Sequence, residues 1–373
     1  MAILPLGSGW TAVTRSATPS QGSVAVPDLL SDALSPEWLN AALGQRFPGV
    51  RVTQVDKGEV IARVSTNARF RIHSDAALPP GLPEHLCIKG YFADCSDGAV
   101  LSRSAGEPEV LFYRELSAGA GIRALPCVYA DVDPVTRHGV VITEDVVACG
   151  AVFLDALSPY APEQVAQSLD QLAVLHGRSW GSANLQMPWL VPRLDVTMRA
   201  RGLKEIRGNF EGPIGARVPE AVRDPELLME RIALLPPLLA AVDPPCLLHG
   251  DAHVGNLYLD AEGRPCLVDW QLVQRGPWYM DVGYHLGCAL TVGDRRQSER
   301  ELLASYLQRL EAEGGEPPSW DDAWRGIGVG MLYGLFLWAI TLKVHPSVTT
   351  VMLERLGSAV ADHESYSTVL EFT

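Results

Sequence analysis

The stretch CLLHGDAHVGNLYLDAEGRPCLVDWQLVQRGPWYMDVGYH, residues 246–285 of the 373-residue chain, decides the fold. Within it two short apolar runs, Leu257–Leu259 and Cys266–Val268, flank the turn-rich DAEGRP and are expected to pair as a hairpin. Folding that hairpin back brings Asn256, just before the first run, close to Asp269, just after the second. An amide oxygen and a carboxylate presented together, with a further carboxylate at Asp251, make a hard-oxygen site suited to Mg2+ carrying substrate phosphates. Phosphoryl transfer asks for the same parts: a cation against the developing charge and a base that positions the attacking hydroxyl. The step of five residues from Asp251 to Asn256 is the spacing of a kinase catalytic loop.

Each of these residues has an ordinary reading by itself. Asp251 could be a turn carboxylate, Asn256 a strand-start cap and Asp269 a strand-end acid. Their joint occurrence, in order and at hairpin spacing, is what points to chemistry. His249 and His253 have the i, i+4 spacing of zinc ligands, yet HGDAH lacks the glutamate of HExxH and carries a helix-weakening glycine. His249 is therefore expected to orient the loop by hydrogen bonding, and His253 reads as a surface residue.

Outward from this segment the pattern divides. Upstream, VRVTQV, KGEVIARV, ARFRIH and LCIKGYF are short alternating runs, β-rich from residue 49 to 73 and again from 86 to 92. EPEVLFYRELSAGAG, from Glu107, has proline at a first helical position and a glycine-rich stop, the signature of one helix following the strands. HGVVITEDVV, 138–147, reads as an edge strand entering a connector. Beyond it helices dominate: PEQVAQSLDQLAVLHGRSW repeats Val165, Leu169, Leu172 and His176 at helical spacing, and SERELLASYLQRLEAEGG is expected to start at a Ser298 capping box. Length alone favours two lobes over one core. The expected division is a loose tail at 1–24, an N-lobe at 25–147 and a C-lobe at 148–373.

HGDAHVGN, VDWQ and GPWYMD, three ordered motifs within 33 residues, resemble the aminoglycoside phosphotransferase and choline kinase superfamily, and particularly its ecdysteroid-kinase-like bacterial branch. The resemblance covers roughly residues 50–345. It implies an α+β, bilobal protein-kinase-like fold with a small β-rich N-lobe and a larger helical C-lobe. It also implies Asp251 as catalytic base, Asn256 and Asp269 as Mg2+ ligands, and Asp281 bracing the catalytic loop with His249. Lys89 of CIKGYF stands where the family's phosphate-binding lysine follows a strand, and Glu109 matches its helix partner. Glu144 and Asp145 occupy the expected interlobe linker, where backbone groups meet adenine. One departure is plain: the phosphate-covering turn, RVSTNARFRI, has Gly58 as its one nearby glycine. Ser65, Thr66 and Asn67 are the donors expected to replace bare backbone there.

The implied activity is transfer of the γ-phosphate of ATP, or GTP, to a hydroxyl of a small molecule, with steroid-like, hydroxyacyl and aminoglycoside-type acceptors all open. A tryptophan-rich C-lobe (Trp180, Trp189, Trp278, Trp320, Trp324, Trp338) mildly favours a lipophilic one. A protein substrate is disfavoured, since no HRD, DFG or APE segment is present. The rival from another class is a serine hydrolase using Ser179 of GRSWG, a formal G-x-S-x-G elbow, although the elbow needs a strand before its serine and a helical pattern precedes this one. A third reading is an inactive nucleotide-binding kinase-like protein.

Composition sets the outer bounds. With 30 basic against 44 acidic residues the formal charge is -14, the wrong sign for a nucleic-acid partner. Seven scattered cysteines without a CxxC pair suggest neither a disulfide framework nor a zinc site and fit a reducing cytoplasm. The opening 27 residues lack a basic start and do not read as a signal peptide. The uncharged run GIGVGMLYGLFLWAITL, 326–342, is read as a buried helix rather than a membrane span, being short and glycine-rich.

Overall fold

The computed structural model describes residues 24–63, 65–95 and 100–372; the tail expected at 1–24 falls almost wholly outside them. The chain forms two compact units, one of residues 24–119 and 124–152, the other of 120–123 and 153–372.

The first unit opens with two helices, α1 (Leu30–Ala33) and α2 (Pro36–Gly44), for which no signal was read in the sequence. Ser35 caps α2 by accepting from the N–H of Trp38, with Pro36 at the first helical position. Five antiparallel strands follow: β1 (Val52–Ala62), β2 (Thr66–Ser74), β3 (His85–Gly90), β4 (Cys127–Val132) and β5 (Gly139–Glu144), in the order β1-β2-β3-β5-β4. The segment 138–147 thus corrects the expectation of an edge strand. β5 lies inside the sheet between β3 and β4, which explains its near-continuous β-branched run, and β4 takes the edge. One sheet face, with Ala68, Phe70, Ile72, Leu86, Ile88, Val140 and Ile142, packs on Trp38, Leu39 and Leu43 of α2. Strand alternation puts Asn67, Lys89 and Val141 side by side on the other face. Between β3 and β4 lies α3 (Glu107–Leu111), continued by a wider π-type turn at Phe112–Leu116.

After a two-residue strand β6 (Val152–Phe153), the second unit is mainly helical. α4 (Pro162–Ser179) packs against α10 (Val292–Ala312), and α9 (Tyr279–Ala289) against α11 (Trp320–Ala339). The α9 and α11 backbones meet at Gly283 and Gly330, where a methyl group on either would strike main-chain carbonyls at 2.1 Å. That contact accounts for Gly330 in the uncharged run, whose residues 326–339 are all buried in α11. Among the described residues no helix is long and apolar enough to cross a membrane. The start expected at Ser298 is corrected: α10 begins six residues earlier behind Thr291, which accepts from the N–H of Asp294, while Ser298 donates to the Asp294 carbonyl inside the helix. Two strands, β7 (Cys246–Leu248) and β10 (Gln274–Gly276), pair antiparallel around the hairpin of β8 (Leu257–Leu259) and β9 (Pro265–Leu267), which forms as expected with Leu257 opposite Leu267.

Candidate active site

In the second unit, residues 249–256 form a loop whose backbone is held by side chains from distant parts of the chain. Asp281, fully buried in the first turn of α9, accepts from the N–H of His249 at 2.6 Å with one carboxylate oxygen and from the N–H of Gly250 at 2.8 Å with the other. The Gly250 carbonyl takes the Tyr333 hydroxyl at 2.7 Å, and the Ala252 carbonyl bonds His285 Nδ1 at 2.9 Å. Gly250 is in left-handed backbone (φ 80°), and a Cβ there would sit 2.0 Å from the Leu272 carbonyl, so no larger residue fits this turn.

His249 ties the loop to the end of β9. Its Nε2 lies 2.9 Å from the Val268 carbonyl and its Nδ1 accepts from the N–H of Asp251 at 3.2 Å, a pattern that requires the neutral ring protonated on Nε2. Burial depresses its pKa and keeps it neutral. The ring stacks obliquely on Trp270, at 4.5 Å between centroids. Asp281 completes its coordination with His176 Nε2 at 3.2 Å, and His176 Nδ1 meets the Tyr306 hydroxyl at 2.8 Å.

Asn256 is buried, and its amide nitrogen donates to the Asp251 carbonyl at 2.9 Å, which leaves its amide oxygen as the atom to face a cation. The Val268 N–H donates to the Asn256 carbonyl at 3.0 Å, so the start of β8 and the end of β9 are locked together, and the next residue is Asp269. Asp269 sits at φ 65°, ψ 68°, a left-handed conformation that costs a non-glycine residue on the order of 1 kcal/mol and is frequent at functional sites. Asp251 receives the Tyr284 hydroxyl on Oδ1 at 3.2 Å. Its pKa is pushed up to about 6, first by burial and next by the negative charge of Asp269, with His249 and the Tyr284 hydrogen bond opposing. The two carboxylates therefore share one electrostatic environment. Two acids and an amide oxygen, all hard donors crowded where like charges repel, fit a Mg2+ ion, which takes one or two protein ligands when phosphates and waters complete its shell.

His253, read from sequence as a surface residue, is corrected. Its side chain keeps 15% exposure, with the ring edge-to-face against Trp338 at 5.2 Å. Ser179 stands at a helix end, as the helical pattern before it favoured over the hydrolase alternative: it is the last residue of α4, fully buried, donating to the Leu175 carbonyl at 2.6 Å and accepting from the Leu247 N–H at 2.8 Å. No strand precedes it, and it caps a helix rather than presenting a nucleophile.

In the first unit Lys89 Nζ and Glu109 Oε2 form a 2.6 Å ion pair, Glu109 being almost fully buried. Asn67 is the direct cross-strand neighbour of Lys89. Ser65 and Asn67 are half-buried, but the expected donor Thr66 is corrected, because alternation along β2 sends it inward with Ala68 and Phe70. Glu144 ends β5. Its N–H is taken by the Pro126 carbonyl and that of Asp145 by the His85 carbonyl, so neither of these donors is open to a base.

Tyr284, Tyr333, His285 and His176 were not singled out for the site by sequence reasoning. A signal existed for two of them: Asp281, Tyr284 and His285 stand at i, i+3 and i+4, one face of α9, and all three grip residues 249–252.

Residues 150–324 match the model of the phosphotransferase enzyme family. No curated protein matched the chain by sequence. Among solved structures, choline kinase from Cryptosporidium parvum Iowa II is 13% identical, covering 90% of this chain and 96% of its own, with a TM-score of 0.51. A candidate aminoglycoside phosphotransferase from Ralstonia eutropha JMP134 is 16% identical over 91% of this chain and 98% of its own, TM-score 0.49. The choline kinase of Streptococcus pneumoniae is 13% identical over 89% and 99%, TM-score 0.47. The likeness to the Cryptosporidium protein shows the kinase-like fold. The ecdysteroid-kinase-like branch has no counterpart among these matches.

Proposed function

From the match of residues 150–324 to the phosphotransferase enzyme family, we propose that this protein is a kinase that moves the γ-phosphate of ATP to a hydroxyl group of a small molecule, with Asp251 as the base. The observation that carries the reading is geometric: the Val268 N–H bond to the Asn256 carbonyl sets Asn256 beside Asp269 at the mouth of the hairpin, and the Asn256 amide grips the Asp251 carbonyl. Asp251 accepts the proton of the acceptor hydroxyl as the new O–P bond forms and the bond to the β-phosphate oxygen breaks, releasing ADP. Its raised pKa suits that exchange, and Tyr284 fixes the rotation of its carboxylate. Asn256 and Asp269 would hold Mg2+, which when bound supplies positive charge to the phosphates. Lys89, kept in place by Glu109, addresses the nucleotide phosphates, with Ser65 and Asn67 as further donors.

The acceptor class stays as wide as the family resemblance makes it: steroid-like, hydroxyacyl or aminoglycoside-type. The tryptophans give the lipophilic class less support than their number suggested. Trp320 and Trp324 stack on each other beneath Arg300, and Trp278 stacks on Tyr306, all in packing roles. Seven cysteines, all unpaired, support a reducing cytoplasm as the place of action.

The test is ATP consumption across a library of hydroxylated metabolites and antibiotics, run beside Asp251→Ala. Acceptor-dependent ADP release that falls about 10²- to 10⁴-fold in the variant, with ATP affinity kept, is the expected result. Undiminished transfer by Asp251→Ala removes the base.

A further inference from the structure

His253 stands beside the base, and its two ring nitrogens have different surroundings. The N–H of Gly255 donates to its Nδ1 at 3.0 Å, so that nitrogen carries no proton. The neutral ring must then carry its hydrogen on Nε2, and burial drives its pKa down to about 4, which keeps it neutral. Nε2 lies 3.8 Å from Asp251 Oδ1, too far for a direct hydrogen bond. The ring cannot drift: Trp338 meets it at 5.2 Å and Tyr284 at 6.0 Å. Gly255 is the close neighbour that makes room, since a Cβ there would lie 2.9 Å from Cε1 and 3.0 Å from Nδ1.

We propose that His253 is a substrate-positioning donor: its Nε2–H hydrogen-bonds the oxygen of the acceptor hydroxyl, which bridges the gap to Asp251 and gives that carboxylate its proton. An oxygen at ordinary hydrogen-bond distance from both atoms fits across 3.8 Å. The donor aligns a lone pair and proton of the attacking oxygen without itself changing charge. This inference rests on Asp251 being the base, and it adds a second residue that selects for an oxygen able to accept one hydrogen bond while donating another.

Two variants separate this role from a structural one, because the two ring nitrogens do different jobs. His253→Asn keeps an acceptor near the Nδ1 position, and so the Gly255 cap, but has no donor at the ε position. His253→Gln places an amide N–H near the ε position and gives up the cap. The probe is Mg2+-ATP with water as acceptor, read as inorganic phosphate release, and repeated with any acceptor that the library yields. The expected result is a loss of about 10²-fold in kcat for His253→Asn and recovery to within about tenfold of wild type for His253→Gln, with ATP affinity unchanged in both. Equal losses, or the reverse order, overturn the proposal. Asp251→Ala in the same assay keeps the two ideas apart: if it leaves phosphate release intact the parent reading fails, and if it abolishes release while the His253 pair does not split, only this inference fails. Independently of turnover, 15N spectra of labelled histidine should show Nε2 of His253 protonated and Nδ1 bare. The opposite tautomer overturns the proposal.

Discussion

The loop at 249–256 and the turn leading into β2 at 65–67 were both expected to carry chemistry, and they are held in opposite ways. In the loop, backbone groups of four successive residues are claimed by the side chains of Asp281, Tyr333, His249, Asn256 and His285. In the turn, the bond is main chain to main chain, from the Arg63 N–H to the Ser65 carbonyl at 2.9 Å. Where side chains do the holding, residue identity is constrained and a motif is readable. Where the backbone itself meets the ligand, many sequences suffice and the reading loosens.

This contrast can be broken, starting where the effect is largest. Asp281→Ala leaves two buried N–H groups, of His249 and Gly250, without an acceptor, and should cost about 3 kcal/mol or more of stability in denaturant unfolding, with loss of transfer. A loss under about 1 kcal/mol would mean that the loop is held by its own conformation. Next comes Lys89→Met, for which ATP affinity should fall about tenfold, since one charge-assisted contact to phosphate is removed, and stability should fall as well, since the buried Glu109 carboxylate gives up its ammonium partner.

A smaller effect is expected with pH in the metal-free protein. The carboxyl of Asp251 is pushed up from its ordinary 3.8 to about 6 in the fold, so between about pH 4 and 6 the unfolded chain has lost a proton that the folded chain keeps. Stability should therefore fall as pH rises through that window, and Asp251→Asn should flatten the decline in thermal melts. A slope unaltered by the substitution would place the carboxyl in a more solvated setting. Smallest of all, Ser65→Ala should change ATP affinity by less than about threefold, sharpening the contrast with Lys89. A tenfold change would show that the turn works through its side chain after all.

What the sequence made legible follows the same division. The β8–β9 hairpin stands on a local pattern, a turn between apolar runs, whereas the pairing of Lys89 with Glu109 and the role of Asp281 as a brace on His249 and Gly250 were legible through the family resemblance of the motifs that carry them. The α1–α2 pair was missed because its signal, a serine cap and a few leucines, acquires meaning only against the far side of a sheet not yet assembled. β5 was set at the edge because its interior place depends on β4, a strand whose register is broken near Cys127. Thr66 was read as a ligand group because nothing in STN says which of three consecutive polar residues the pleat turns inward. His253 was taken for a surface residue because its burial comes from Trp338, 85 positions along the chain, as the sequence numbers give it.

The central claim is that Asp251, Asn256 and Asp269 converge on a single magnesium-bound triphosphate. A crystal structure of the chain with Mg2+ and a non-hydrolysable ATP analogue tests it most directly. The account predicts a metal about 2.1 Å from the Asn256 amide oxygen and an Asp269 carboxylate oxygen, with the Asp251 carboxylate facing the γ-phosphate. A metal ligated elsewhere, or a triphosphate bound with Asp251 turned away from it, would contradict it.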